Sequence, residues 1–388
     1  MLDPIRGDFP TLAHWTYLNC GGMAPLPTSV GAEWLRVPQA VVAEGPLRLQ
    51  AHDEEFLQIE AARTTVARFI GADPDEIAFT TQFSTAMNIV VEGLPWQAGD
   101  EIIVTDQEHP ALLIPVLNAA RRHGLTVRRI PIAPRADAML ASYRALLNER
   151  TRLVAVSHVT TDSGTILPAG EITRLAHERG ALVLFDGAQS LGQFPVDVHA
   201  LGCDFYAFVG YKWLLGPYPS AALYIRADVL DRIEPSWSGS RATRTGSVTM
   251  EIDELVWVPT ARRFEYGGRT FPYDTAMAAG VAYVARLGMA NVEAHSRALT
   301  AYLHEALPRV PGARLHSPAD PREATGIATV SLDGVDGVTV AAALRERWQI
   351  VTRPALRGTS IRISLAAFVE RRDVDLLLDG LAALAKGK

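Results

Sequence analysis

The chain has 388 residues, of which 48% are hydrophobic and 21% charged, with a formal net charge of -6 and a pI near 6.0. This length predicts a large domain with a smaller one, and the composition is typical of soluble globular proteins. The acidic balance and the lack of a long Lys/Arg run argue against nucleic acids and membrane surfaces as partners.

The cysteines and the N-terminus indicate the compartment. Cys20 and Cys203 form no CxxC pair, which argues against a disulfide framework and against a structural zinc site. The first residues lack a basic segment followed by an apolar one, and the apolar runs have only the length of strands. We therefore predict a cytoplasmic protein without a metal site.

Short apolar runs alternate with helical patterns through the middle of the chain. Several runs are apolar without alternation, as in strands buried on both faces, and their succession with helices predicts a mostly parallel sheet. Helical patterns lie between the strands, for example at 110–123 and 171–179. The predicted strands are 77–80, 102–105, 126–130, 153–157, 182–186, 204–208 and 221–225.

The pattern changes after the last of these strands. The segment 236–249, rich in Ser, Gly, Arg and Thr, is typical of a long loop that can be functional. Beyond it we predict a smaller α+β domain, and we divide the chain at 1–30, 31–285 and 286–388. The later segments are 275–287, 292–307, 327–332, 338–347, 361–364 and 374–385.

Four strand ends carry polar or aromatic residues, at the place where α/β sheets bind ligands. Small hydroxyl residues in 81–84 indicate either a phosphate site at a helix N-terminus or simple capping. His109 precedes a predicted helix and, by itself, is more typical of a capping or surface residue. Both segments leave their alternatives open.

The other two ends carry an aspartate and a lysine. Asp186 ends its predicted strand directly after an apolar run, so it faces either a cation such as a protonated ring nitrogen, or the N-terminus of a helix. Lys212 lies among aromatic residues and glycines. Desolvation there would favour the neutral amine that imine chemistry needs; the alternative is a lysine that extends to the surface.

Together these segments resemble the class V aminotransferase family, which includes cysteine desulfurases and related C–S lyases. The sequence DGAQ at 186–189 is followed 26 residues later (212 minus 186) by GYKW at 210–213. The resemblance begins at the segment 17–27, on the substrate side, and ends at 361–365. It implies the fold of the fold-type I enzymes that use pyridoxal 5'-phosphate (PLP): a seven-stranded sheet flanked by helices, with a smaller α+β domain.

The resemblance also implies roles for individual residues. Lys212 would hold PLP as a Schiff base, His109 would stack on its ring, and Asp186 would pair with the ring N1–H, which makes the ring an electron sink. Gln189 would donate a hydrogen bond to O3', and the Ser84 hydroxyl and the Phe83 N–H would contact the phosphate. Arg362 would bind the substrate carboxylate with two parallel N–H groups. Gly21 would lie in the substrate-side segment and contact the substrate.

Several positions depart from the family pattern. Desulfurases carry a catalytic cysteine before the carboxylate arginine, but the segment 352–360 is short and has none. Tyr211 replaces a histidine, although its hydroxyl could still reach the phosphate. Thr161 replaces a substrate-side asparagine. Gly268 replaces a threonine that reaches the phosphate of a neighbouring subunit, and Phe83 makes the phosphate loop bulkier.

The first choice of reaction is β-elimination from a cysteine-derived substrate, which needs no enzymic cysteine. The alternatives are transamination and epimerisation, the latter with Tyr211 or His158 as a second acid. A non-catalytic binding protein that keeps the fold is the alternative of a different class. The family implies a homodimer with active sites at the interface. Three arginines, Arg241, Arg244 and Arg269, indicate either an acidic substrate or an ordinary surface.

Overall fold

A computed structural model describes residues 5–45, 52–133, 136–244, 247–248, 254–268, 271–320 and 322–386. The helices are α1 Thr28–Glu44, α2 His52–Phe69, α3 Phe83–Gly93, α4 Pro110–His123, α5 Ala136–Leu146, α6 Ala169–His177, α7 Val198–Leu201, α8 Phe271–Leu287, α9 Met289–Ala306, α10 Gly337–Trp348 and α11 Arg371–Lys386. The strands are β1 Thr16–Tyr17, β2 Ile77–Thr80, β3 Glu101–Thr105, β4 Thr126–Ile130, β5 Thr151–Ser157, β6 Leu182–Asp186, β7 Phe205–Val209, β8 Ala221–Ile225, β9 Ala313–Leu315, β10 Ile327–Leu332, β11 Ile350–Val351, β12 Arg353–Ala355 and β13 Ser360–Ser364.

A seven-stranded sheet in the order β2-β8-β7-β6-β5-β3-β4 forms the centre of the fold. All seven predicted strands are present, and their ends differ from the prediction by at most two residues. β8 runs antiparallel to β2 and β7, while the other pairs are parallel. The carboxyl ends of β2, β3, β5, β6 and β7 therefore meet at one edge of the sheet.

The apolar runs become strands because both faces of the sheet are covered. Along β7, Phe205 and Ala207 join one apolar cluster, while Tyr206 and Phe208 join the cluster on the opposite face. Successive side chains of a strand point to opposite faces, so a strand buried on both sides has no polar alternation. The predicted architecture is confirmed.

The smaller, predicted α+β region is built on a second sheet, in the order β12-β13-β10-β9 and entirely antiparallel. The N-terminal segment reaches this region, because β1 pairs in parallel with β11 through Thr16 and Ile350. Leu18 also lies in the apolar cluster of the smaller region. The division at 1–30, 31–285 and 286–388 stays a prediction.

The described part of the predicted loop 236–249 contains neither a helix nor a regular strand. Among the described residues, no helix combines the length and the apolar character that a bilayer span requires.

Candidate active site

Lys212 lies in the turn after β7, and only 9% of its surface is exposed. Burial lowers the pKa of its amine; the negative charge of Asp186 opposes this shift, and the positive charges of Arg362 and Arg353 add to it. A lysine that extends to the surface is therefore the wrong alternative. The position favours the neutral, nucleophilic amine.

Asp186 ends β6 beside this lysine, and it is buried. Its Oδ1 accepts a hydrogen bond of 2.8 Å from the backbone N–H of Ala188. Residues 187–190 form a turn, so the alternative of a helix N-cap is wrong. Burial raises the pKa of the carboxyl, and the positive charge of Lys212 opposes that rise. A second cation, such as a protonated ring nitrogen, would stabilise the ionised form.

His109 is the N-cap of α4, as its position in the sequence predicts. Its Nδ1 accepts a hydrogen bond of 3.1 Å from the N–H of Ala111, which places the proton of the neutral ring on Nε2. Burial lowers the pKa of the imidazole to about 4, and the positive charges of Lys212, Arg353 and Arg362 contribute to the same shift. At neutral pH the site therefore presents an uncharged, oriented ring.

The residue before this histidine, Glu108, did not attract notice in the sequence. Its buried carboxyl accepts hydrogen bonds of 2.6 Å from the hydroxyls of both Thr105 and Ser157. It thereby joins the ends of β3 and β5, and this fixes the start of α4 and the ring of His109 relative to Asp186.

The start of α3 is the predicted phosphate site. Gln82 is the N-cap and makes no capping hydrogen bond with its side chain, so the first N–H groups of the helix remain for a ligand. The Phe83 ring is buried in the core, its backbone N–H is the first of the helix, and Ser84 is half-buried. A cavity of about 180 Å³ lies beside this turn, lined by Thr80, Thr81, Thr85, Gly267 and Gly268.

Tyr211, another predicted phosphate contact, is half-buried next to Lys212. Its ring packs edge-on against Tyr218, with the centroids 4.8 Å apart. Burial raises the pKa of its phenol to about 12, so the hydroxyl stays protonated at neutral pH and can donate a hydrogen bond.

Arg362 lies on β13 and is 1% exposed. Its Nη1 donates a hydrogen bond of 3.1 Å to the carbonyl of Thr161, while Nε and Nη2 have no partner among the residues that the structure describes. Thr161 thus orients the arginine through its backbone. Two buried guanidinium N–H donors side by side match a carboxylate.

The N-terminal segment packs against the site at Gly21, next to Gln189 and Arg362. Gln189 donates from Nε2 to the carbonyl of Gly21 at 2.9 Å and accepts at Oε1 from the indole of Trp213 at 2.8 Å. A Cβ at Gly21 would lie 2.9 Å from Gln189 Oε1 and 3.3 Å from Arg362 Nη2, so only glycine allows this approach. Gly21, Gln189 and Arg362 are therefore brought together.

Two further residues near the site were missed in the sequence. Arg353 on β12 is the cross-strand partner of Arg362, and its charge acts on both Lys212 and His109. Cys20 is fully buried, and the charges of Arg362 and Lys212 act on its thiol. No local pattern in the sequence marked Arg353, because it reaches the site through the pairing of β12 with β13.

Lysine usage is another signal that could have identified the site. The chain has three lysines, Lys212, Lys386 and Lys388, so a single lysine lies outside the C-terminus. Nearly all the other cationic side chains are arginines. A lysine in the middle of this chain is therefore unusual, and Lys212 is the one that occurs there.

Other candidate groups lie apart from this constellation. Arg241 and Arg244 are exposed and line a cleft of about 330 Å³, whereas Arg269 lies outside the described residues. Ligand atoms of Asp73, Glu76 and His199 come within 4.8 Å of one another, but Asp73 and Glu76 already form a capping box around a short turn, and Glu76 binds His199. The prediction that the protein has no metal site stays a prediction.

The mostly parallel sheet, the buried lysine after β7 and the buried aspartate at the end of β6 define a PLP-dependent enzyme of fold type I. The residues fit this cofactor, because Asp186 is a buried carboxyl that a ring cation would stabilise and the start of α3 offers N–H groups to a phosphate. The chain belongs to the class V aminotransferase family: the model described as Aminotransferase class-V matches residues 45–377.

Individual relatives agree with this assignment. A probable cysteine desulfurase of Methanothermobacter thermautotrophicus is 31% identical over 99% of this chain and 98% of the relative. A lysine variant of C-DES with glycine covalently linked to the PLP cofactor has a TM-score of 0.91 at 30% identity, covering 98% of this chain and 99% of the other. A complex of the cystine C–S lyase C-DES with its product cysteine persulfide has a TM-score of 0.89 at 30% identity, covering 96% and 99%.

The buried position of Lys212 leads to a prediction about pH. Since burial penalises the cation, the neutral amine should form at lower pH than on an exposed lysine, for which the ordinary pKa is 10.5. The rate at which cofactor-free protein reacts with PLP should therefore rise with pH to a midpoint below 10.5. Stopped-flow absorbance measures this rate, with Lys212→Ala as the control. A midpoint at or above 10.5 would contradict the burial argument.

Proposed function

We propose that the protein catalyses β-elimination from a cysteine-derived substrate, most favourably cystine, without an enzymic persulfide cysteine. The observation that carries this proposal is the hairpin of β12 and β13. It brings the charges of Arg353 and Arg362 to the site, and its connecting turn contains no cysteine. One of the similar structures is described as a cystine C–S lyase, which supports the proposal.

The two arginines suit a substrate with two carboxylates. Arg362 has two buried, unpartnered N–H groups among the described residues, and we assign them to the α-carboxylate at the reacting end. Arg353 supplies a second cation for the distant carboxylate of cystine. Elimination from cystine breaks the Cβ–S bond; with one water, it yields cysteine persulfide, pyruvate and ammonia.

The other residues hold the cofactor and move the proton. When bound, PLP supplies the electron sink for negative charge at Cα. We assign the covalent attachment and the Cα proton transfer to Lys212, the ring nitrogen to Asp186 and the ring face to His109. Gln189 is assigned to O3', and the phosphate is assigned to Ser84, Phe83, Tyr211 and Gly268.

Epimerisation is less well supported, because it needs a second acid at the site. His158 is buried among the rings of Phe185, Phe194 and Tyr206, and burial lowers the pKa of its imidazole to about 4. It is therefore uncharged at neutral pH. Its Nδ1 lies 2.8 Å from Tyr206 Oη, so this nitrogen is engaged away from a substrate.

Product analysis tests the reaction. The holoenzyme is incubated with cystine, cysteine, a neutral S-alkylcysteine and alanine, and pyruvate, sulfane sulfur and the aminated cofactor are assayed separately. We expect cystine to yield pyruvate and sulfane sulfur in equal amounts, without formation of the aminated cofactor. Accumulation of the aminated cofactor would instead establish transamination, and a racemised amino acid would establish epimerisation.

Removal of both cysteines tests whether the enzyme needs its own sulfur carrier. Burial raises the pKa of the Cys20 thiol, so the thiolate, which is the nucleophile, is disfavoured. Cys20→Ala with Cys203→Ala is expected to keep the rate of pyruvate release from cystine within about threefold of the unmodified protein. Cys203→Ala alone is the matched control for a buried thiol. Loss of sulfur release from the double variant with normal cofactor content would argue for a persulfide on Cys20.

We also propose a cytoplasmic homodimer with the active sites at its interface. Large apolar side chains on α1 and α2 are exposed, with Val42 at 88%, Leu57 at 67% and Phe56 at 52%. Such side chains favour burial against a partner. Sedimentation at micromolar concentration is expected to give about twice the 42.1 kDa chain mass. A fully active monomer would contradict this assembly.

A further inference from the structure

A chain of buried hydrogen bonds lies behind Asp186. His158 Nδ1 is 2.8 Å from Tyr206 Oη, and that oxygen is 2.6 Å from Ser190 Oγ. Ser190 in turn donates to the carbonyl of Gly187 at 3.1 Å. The three side chains are at most 5% exposed, so water does not compete effectively for these bonds.

The chain connects three neighbouring strands of the central sheet. His158 follows β5, Tyr206 lies on β7, and Ser190 belongs to the turn after β6. The backbone N–H of His158 also donates to the carbonyl of Asp186 at 2.9 Å. The peptide carbonyls of Asp186 and Gly187 are therefore both held by members of this chain.

Only one order of protons makes all three contacts hydrogen bonds. The Gly187 carbonyl can only accept, so the single proton of Ser190 points to it. Tyr206 must then donate to Ser190, and its oxygen accepts from the Nδ1–H of His158. The histidine is thereby restricted to one tautomer, and each hydroxyl has one orientation.

The Tyr206 ring also limits where the turn after β6 can lie. A Cβ at Gly187 would come within 2.0 Å of Tyr206 Cε1, so the backbone of the turn lies directly on the ring. The ring is further enclosed by Phe185 and Phe208, with centroids 6.3 and 6.5 Å away. Gly187 permits this contact because it lacks a side chain.

We propose that Tyr206 is a positioning residue that holds the Asp186 carboxyl where it meets the ring nitrogen of the cofactor. This inference rests on the role proposed above for Asp186. The Tyr206 hydroxyl acts through its hydrogen bond to Ser190, which in turn donates to the carbonyl of Gly187. The Tyr206 ring packs directly against the backbone of the turn at Gly187. The charged groups that act on Asp186 are Lys212 and Glu108, and neither takes part in the hydrogen-bond chain behind Asp186.

The test removes only the hydroxyl, in Tyr206→Phe. The pH midpoint of the bound cofactor's absorbance is expected to shift in the same direction as in Asp186→Asn, but by less. The cofactor is also expected to dissociate about five- to tenfold faster, because removal of a buried hydroxyl leaves its partners unpaired. A purely structural role would lower the melting temperature without moving the midpoint.

Tyr224→Phe is the matched control. Tyr224 is the cross-strand neighbour of Tyr206 on β8, it is buried, and within the described part of the chain its hydroxyl has no hydrogen-bond partner. This variant should keep the midpoint and the dissociation rate of the unmodified holoenzyme.

The outcomes separate the two proposals. A folded Tyr206→Phe holoenzyme with an unchanged midpoint would overturn the inference about Tyr206. If that variant does not fold, Ser190→Ala decides in its place, since it breaks the same link and leaves the ring. An unchanged midpoint in Asp186→Asn would instead overturn the role of Asp186 itself.

Discussion

Replacement of Lys212 by alanine is expected to abolish covalent attachment of PLP and to reduce turnover of cystine by about 10³-fold or more. The amine is assigned both the bond to the cofactor and the movement of the Cα proton, and alanine can do neither. Borohydride reduction followed by peptide mass spectrometry locates the attachment, and pyruvate release gives the rate.

The sparse lysines of this chain make the experiment unusually clear. Lys386, at the exposed end of α11, is the natural control, and Lys386→Ala should keep both attachment and rate. Circular dichroism shows whether the Lys212 variant is folded. A folded Lys212→Ala protein that still carries reducible cofactor, or that still releases pyruvate at a normal rate, would refute the assignment.

Arg362→Lys is expected to lower kcat/KM for cystine by about 100-fold, mainly through a higher KM. Lysine keeps the positive charge but cannot present two parallel N–H groups to a carboxylate. The effect should be large because Nε and Nη2 of Arg362 are buried and, among the described residues, have no protein partner that could substitute for the substrate.

Steady-state kinetics on cofactor-saturated protein measures this change. Arg314→Lys is the control, since Arg314 lies on β9 of the same sheet but is exposed and paired with Asp333. It should leave KM unaltered. A normal KM in Arg362→Lys, with normal cofactor content, would show that the carboxylate binds elsewhere.

Much of the fold was predictable from short-range patterns. Most strands of the central sheet were found because a strand buried on both faces is apolar, and this requirement is visible in four or five consecutive residues. The edge strand β4 is the exception, since Arg128 and Arg129 lie in it and only Ile130 is buried. Lys212 and Asp186 were found because each lies at or just beyond the end of an apolar run. The order of these strand ends along the chain then made the family resemblance specific.

Other parts of the site depend on residues that are far apart in the chain. The carbonyl of Gly21 meets Gln189, and the N–H of Gly21 donates to Ser364 across 343 positions. Arg353 reaches the site only because β12 pairs with β13 in a register that places it opposite Arg362. No local periodicity encodes such contacts.

Tyr206 shows the same limit within a correctly predicted strand. Its position on β7 was predicted, but in the sequence it was one more apolar residue of a buried run. Its hydroxyl gained partners only when β5 and the turn after β6 were placed beside it. Its neighbour across the sheet, Tyr224, has the same burial but no such partner among the described residues.

The sequence by itself determined the layered α/β architecture, the positions of Lys212 and Asp186 at adjacent strand ends, and the family. These follow from burial, which acts on each segment separately and leaves an uninterrupted apolar run in each buried strand. The tertiary structure alone decided which groups surround Lys212: the paired arginines, the Gly21 segment and the hydrogen-bond chain behind Asp186. Those contacts depend on strand order and register, and residues that meet through them need not be near each other in the chain.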